Sequence, residues 1–120
     1  MPVSPLDANL AGADYCYITT TGRRTGKPHT VEIWFGIAES TLYILAGSGE
    51  RADFVRNARK SPDIGVRIAE RTFTGRARIV ATGDEDALAR RLLLAKYRPR
   101  SDGDLDEWGI TALVFAVDLA

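Results

Sequence analysis

From Thr30 to Ile37 the chain alternates without a break. Val31, Ile33, Phe35 and Ile37 fall on one side, and Thr30, Glu32, Trp34 and Gly36 on the other. A period of two does not suit a helix; it describes a β-strand with one apolar face. The same period returns in "DIGVRIAE", with Ile64, Val66 and Ile68 inward. It returns again in "TFTGRARIVA", where Phe73, Gly75, Ala77, Ile79 and Ala81 alternate with Thr72, Thr74, Arg76 and Arg78. "YCYITTT" (Tyr15 to Thr21) and "LYILA" (Leu42 to Ala46) are rich in β-branched and aromatic residues and add two more strands. The terminal "ITALVFAVDL" is apolar on both faces, which predicts a strand buried on both.

Helical signals are fewer. Ser4 to Ala13 reads as a short helix, with Ser4 as N-cap and Pro5 at the first helical position. A second helix starts at Ser48 or Glu50. It has Asp53 in its first turn, Arg59 and Lys60 near its end, and Pro62 as a stop. A third runs from a cap at Asp84 to about Tyr97, with an apolar stripe of Leu88, Leu92 and Ala95. Leu94 falls off that stripe, which predicts that part of this helix meets a second subunit. "RPRSDGDLDEWG" reads as a loop. The order (α)βββαββαβ, with strands in hairpin succession, predicts a mainly β fold with α. It is a small antiparallel barrel of about six strands with two to three helices, a single domain spanning 1–120. A barrel of this size is filled by its own side chains. Its ligand site is therefore expected on the outside or at a subunit interface, which suits a homodimer.

Charge and composition narrow the partners. Lys plus Arg and Asp plus Glu each number 16, so the net charge is zero and no global attraction to nucleic acid or anionic membrane is expected. Any anion grip must be local. One Cys excludes an internal disulfide, and one His excludes a histidine metal cluster. No secretory signal and no membrane span is recognisable, so a cytoplasmic location is the expectation.

Four motifs bear on chemistry. "GRRTGK" (Gly22 to Lys27) fails as a P-loop, because three residues separate its glycines and Pro28 follows the Lys. As a hairpin turn, the stretch presents Arg23, Arg24, Lys27 and His29 from a short arc. These are fork-shaped and point-charge donors suited to phosphate, with Gly22 and Gly26 giving backbone access. The alternative is a turn kept soluble by its charges. "AGSGERADF" places the small residues Ala46, Gly47, Ser48 and Gly49 at a strand end before a helix, either a donor-rich concavity or an ordinary connection. "DGDLDE" partly matches a calcium loop, but Glu107 replaces the sixth-position Gly and Leu113 the twelfth-position Glu, so it reads as a solvated acidic loop. Trp34, Tyr97 and Trp108 either line a substrate pocket or pack.

The segments "TTTGRRTGKPHTVEIWF", "LYILAGSGERADFVRNARKSPDIGVRI" and "FTGRARIV" resemble the deazaflavin-dependent nitroreductase-like family. That family lies in the split β-barrel superfamily with the flavin-binding pyridoxamine phosphate oxidases. The resemblance spans about Tyr15 to Ala81 plus the terminal strand. It implies an oxidoreductase using coenzyme F420, a deazaflavin, to pass a hydride to a small organic acceptor such as a quinone or nitro compound. Arg23, Arg24 and His29 would hold the phosphate, with Lys27 beside them. Ala46, Gly47, Ser48 and Gly49 would lie against the ring. The helix with Phe54 and Asn57 would shape the pocket, and substrate would sit near Trp34, Tyr97 and Trp108. No side chain is singled out as catalytic; a proton could come from Tyr97 or solvent. Two positions depart from the family pattern, His29 in place of Arg and Glu32 in place of Pro. The alternatives are an FMN-binding reductase of the same fold and a non-catalytic module for a flavin-like or phosphorylated ligand.

Overall fold

The structure, a computed structural model, describes residues 8–81 and 83–120. The first helix, α1, is described over Ala8–Ala11, so the expected cap at Ser4 and Pro5 lies outside the described residues. The strands are β1 (Cys16–Thr21), β2 (Pro28–Ile33), β3 (Gly36–Ala38), β4 (Thr41–Ala46), β5 (Asp63–Ile68), β6 (Arg71–Val80) and β7 (Leu113–Leu119). The remaining helices are α2 (Asp53–Lys60), α3 (Asp84–Tyr97) and α4 (Asp106–Thr111). All seven strands form one antiparallel sheet in the order β2-β1-β5-β6-β7-β4-β3.

That order dictates curvature. In a flat sheet, β2 and β3 would stand six strand spacings apart, roughly 29 Å. They are joined only by Trp34 and Phe35, and three peptide units reach at most about 11 Å. The sheet must therefore curl until its two edges nearly meet, which makes it a barrel split between β2 and β3. The mainly β split barrel read from the sequence is what forms, with seven strands instead of about six. The single strand expected over 30–37 is two, because the chain turns at Trp34–Phe35 to cross from one edge to the other.

Two apolar clusters fill the space on either side of the sheet. Inside the barrel lie Ile18, Phe35, Ile44, Ile68, Phe115 and Val117, each at most 1% exposed, and α2 adds Val55 and Ala58. Outside, Tyr43 and Leu45 of β4 and Val114 and Ala116 of β7 meet Ala89, Leu93 and Tyr97 of α3. The doubly apolar β7 is thus buried on both faces, as read, and helix α3 of the same chain supplies the second cover. The α3 face is rotated from the expected stripe: Ala95 is exposed and Leu92 half-buried, while Ala89 and Leu93 are fully buried. Leu94, half-buried, packs against Gly109 of α4 within the chain. Helix α4 takes the end of the stretch read as loop and also Ile110 and Thr111, which were read as the start of the last strand. Asp106 and Glu107 in its first turn suit the helix dipole, but Gly109 in its middle weakens the local signal.

Candidate cofactor site

The β1–β2 hairpin is a tight, donor-rich loop. Gly22 N–H donates to the Lys27 carbonyl at 2.7 Å, and Gly26 N–H to the Gly22 carbonyl at 2.9 Å. The His29 ring lies against Gly22, where a Cβ would stand 2.7 Å from Nε2, so the position admits only glycine without displacing the imidazole. The hairpin is tied to α2 through Asn57, which is 3% exposed. Asn57 Oδ1 accepts from Arg23 N–H at 3.1 Å and from Arg23 Nη1 at 2.9 Å, while its Nδ2 donates to Thr20 Oγ1 at 3.1 Å. Arg23 Nη2 pairs with Asp53 at 3.2 Å, and Lys60 Nζ donates to the Arg23 carbonyl at 2.8 Å.

Between hairpin and helix lies a cavity of about 200 Å³, lined by Gly22 to Thr25, His29, Asp53 and Asn57. Its donors are unequal. Arg23 is held in place by Asn57 and Asp53. Arg24 and His29 are exposed, and the Arg24 guanidinium has no partner among the described residues. Lys27 is exposed and lies outside this lining.

A second cavity, about 460 Å³, opens at the barrel split. Trp34 and Trp108 form its aromatic walls with Tyr15, and Glu32, Ile33, Leu45 and Leu105 complete it. Trp108 stands edge-on to Trp34 with ring centroids 5.6 Å apart, and its Nε1 donates to the Leu45 carbonyl at 3.2 Å. Trp34 stacks flat on Tyr97 at 4.2 Å. Tyr97 is behind that wall and does not line the cavity. It is 1% exposed; its hydroxyl donates to the Asp14 carbonyl at 2.7 Å and accepts from Phe35 N–H at 3.0 Å. Burial pushes its phenol up to about 12, so it keeps its proton at neutral pH. Gly47 and Ser48 are exposed, and a Cβ on Gly47 would come within 3.8 Å of Trp108. Ala46 is buried, and Phe54 packs edge-on against Phe115 at 5.3 Å in the barrel core.

The structure thus brings Arg23, Arg24, His29 and Asn57 to one cavity and Trp34 and Trp108 to another, with Gly47 beside the second. Lys27, Phe54, Tyr97, Ala46, Ser48 and Gly49 line neither. Tyr15, Glu32 and Leu105 are cavity residues that sequence reasoning did not assign. So is the role of Lys96: its Nζ donates to the Phe35 carbonyl at 2.9 Å and lies 3.6 Å from the Phe35 ring centroid. Burial lowers its pKa to about 8. A lysine among helix leucines looks like surface, and only the fold turns it inward.

Solved structures share this architecture at low identity. An F420-H2-dependent reductase matches at 21% identity and TM-score 0.70, covering 97% of this chain and 99% of that one. A candidate pyridoxamine 5'-phosphate oxidase from Listeria innocua matches at 17% identity and TM-score 0.65, covering 93% and 88%. A chain solved as a domain-swapped dimer matches at 21% identity and TM-score 0.70, covering 93% and 81%. No curated sequence matches the chain. The fold is therefore a split barrel, the architecture that these structures share. Within that architecture, the family profile described as F420H(2)-dependent quinone reductase matches residues 3–103, and the chain belongs to this family of F420-dependent oxidoreductases.

Proposed function

We propose that the chain binds coenzyme F420 along β2, with the phosphate in the hairpin cavity and the ring beside the cavity at the barrel split, and delivers its hydride to a small organic acceptor held in that cavity. The observation that carries this reading is that one strand reaches both cavities. His29, near its start, lines the smaller, while Glu32 and Ile33, at its end, and Trp34 just beyond line the larger. Five residues of strand span roughly 17 Å, the scale of a ring with a phosphorylated side chain. As an edge strand paired only with β1, β2 also offers unpaired backbone N–H and C=O groups to a ring edge.

The donor set fits a phosphate. Arg24 brings an unengaged planar fork, and Arg23 a fork preset by Asn57. Asp53, whose side chain is 83% exposed, stands at Arg23 where a phosphate oxygen would compete, and it can swing to solvent. When bound, the cofactor supplies the redox chemistry. The protein holds the phosphate, walls the acceptor with Trp34 and Trp108, and needs no nucleophile. The domain-swapped relative supports a dimer for this chain as well.

Titration with F420, FMN and inorganic phosphate tests the reading. F420 should bind most tightly, and Arg24→Ala should weaken it about tenfold, about one charge-assisted hydrogen bond, with the fold unchanged. Tighter binding of FMN would replace the cofactor assignment. Unchanged F420 affinity in Arg24→Ala would sink the phosphate site.

A further inference from the structure

We infer that the cavity at the barrel split selects a flat organic cation, with Glu32 as its counter-charge. This rests on the proposed function for calling the occupant a substrate, while the charge preference stands on the cavity itself. Its walls are three aromatic rings, Tyr15, Trp34 and Trp108, and Glu32 is the only charged residue among those that line it. Faces of Trp and Tyr attract cations through the ring quadrupole, and an aromatic enclosure with a carboxylate is a general solution for binding a positive organic group.

Glu32 is free to serve. Tyr17 donates to its Oε2 at 2.6 Å, which fixes the carboxylate and leaves Oε1 without a partner among the described residues. That hydrogen bond raises the Tyr17 pKa, so the phenol remains a donor. Among the described residues no cation pairs with Glu32. Arg67 lies 4.2 Å over the ring of its partner Tyr17 and donates to the Ala69 carbonyl.

The acidic loop reinforces the sign. Leu105 and Trp108 carry the loop to the cavity, and they are flanked in the chain by Asp104, Asp106 and Glu107. Asp106 is neutralised by Arg98 at 2.6 Å, whereas Asp104 and Glu107 have no ion pair among the described residues. The stretch read as a failed calcium loop thus supplies Leu105 and Trp108 to the cavity from a segment that carries two carboxylates without an ion pair among the described residues. Anionic acceptors are repelled, and a neutral one gains no charge interaction.

The test uses three flat probes of similar shape: N-methylquinolinium, 1-methylnaphthalene and 1-naphthoate. The chain has two tryptophans, Trp34 and Trp108, and both line this cavity. Their two indole N–H resonances therefore report occupancy directly. The cation should bind about tenfold more tightly than its neutral isostere, and the anion least. Glu32→Gln should bring the cation down to the neutral probe's affinity and leave the neutral probe unchanged. Equal affinities in the parent protein, or a cation preference that survives Glu32→Gln, would overturn the inference. Repeating the titration with F420 present separates it from the cofactor reading. Continued cation binding beside F420 supports a substrate cavity, and competition between the two would assign the cavity to the ring instead. Failure of F420 to bind at all would remove the cofactor reading and leave the charge preference measured on its own.

Discussion

Asn57 shows how one side chain sets the geometry of a site. Its amide satisfies a backbone and a side-chain donor of Arg23 and donates to Thr20, all at a position 3% exposed. Truncating it leaves buried polar groups without partners, which typically costs 1–3 kcal/mol. We expect Asn57→Ala to lower the unfolding free energy by about 2 kcal/mol in urea titrations, and to weaken F420 binding even though Arg23 is still present. A loss of affinity without a loss of stability would show that Asn57 meets the ligand directly instead of positioning Arg23. From the sequence, the cationic turn was legible because glycine, proline and three basic residues cluster within it. The division of labour was not, because it depends on α2, some thirty residues away, presenting Asn57 and Asp53 to Arg23.

At the scale of elements, β6, β7 and α3 are joined by a polar network on the outer face. Arg78 of β6 makes a bidentate pair with Glu85 of α3, both contacts at 2.6 Å, and also binds Asp118 of β7 at 2.7 Å. Tyr43 adds a hydrogen bond to Glu85 at 2.6 Å. The hydrogen bonds from Arg78, and next those from Tyr43, bring the Glu85 carboxyl down to about 2. A carboxyl with a folded pKa below its unfolded value contributes stability above the unfolded pKa, near 4.5, and loses it as pH falls toward 2. We expect Glu85→Gln to cost of order 1 kcal/mol at pH 7, the size being limited by solvent screening. The difference from the parent protein should shrink below pH 4.5 and vanish near pH 2 in urea unfolding. A pH-independent difference would mean that packing, and not charge, holds the α3 start. Element identity was largely readable because strand period and the charge order of helix ends are local; the caps were not, since Ala52 and Gly83 take the N-cap positions of α2 and α3 in place of Ser48 or Glu50 and Asp84. The rotated face of α3 was not readable: Leu, Ala and Tyr there tolerate several rotations, and β4 with β7 selected the one that buries Ala89, Leu93 and Tyr97.

Closure is the property of the whole molecule. The sheet's edges are joined at Trp34–Phe35, and that crossing is secured by Tyr97 from α3. Its hydroxyl contacts both the nitrogen and the oxygen of Phe35 as well as the Asp14 carbonyl, while Lys96 caps the Phe35 carbonyl from the same helix. Tyr97→Phe keeps the ring stack on Trp34 but strands the buried Phe35 N–H. We expect a loss of 1–3 kcal/mol in unfolding free energy, with faster amide exchange at Phe35. An unchanged exchange rate would show that the crossing is held by packing alone.

The sequence by itself determined that this chain would be an antiparallel, mainly β barrel with a cationic hairpin, because alternation, turn residues and charge clustering are local and survive without knowledge of contacts. Tertiary structure decided which aromatics face a ligand, which cations are already engaged, and where the sheet splits. Those depend on strands and helices far apart in the chain. Trp34 and Tyr97 make the point: the sequence offered both as pocket residues, and the crossing between β2 and β3 left the indole at the cavity and drew the phenol into the interior, where burial demanded partners for its hydroxyl.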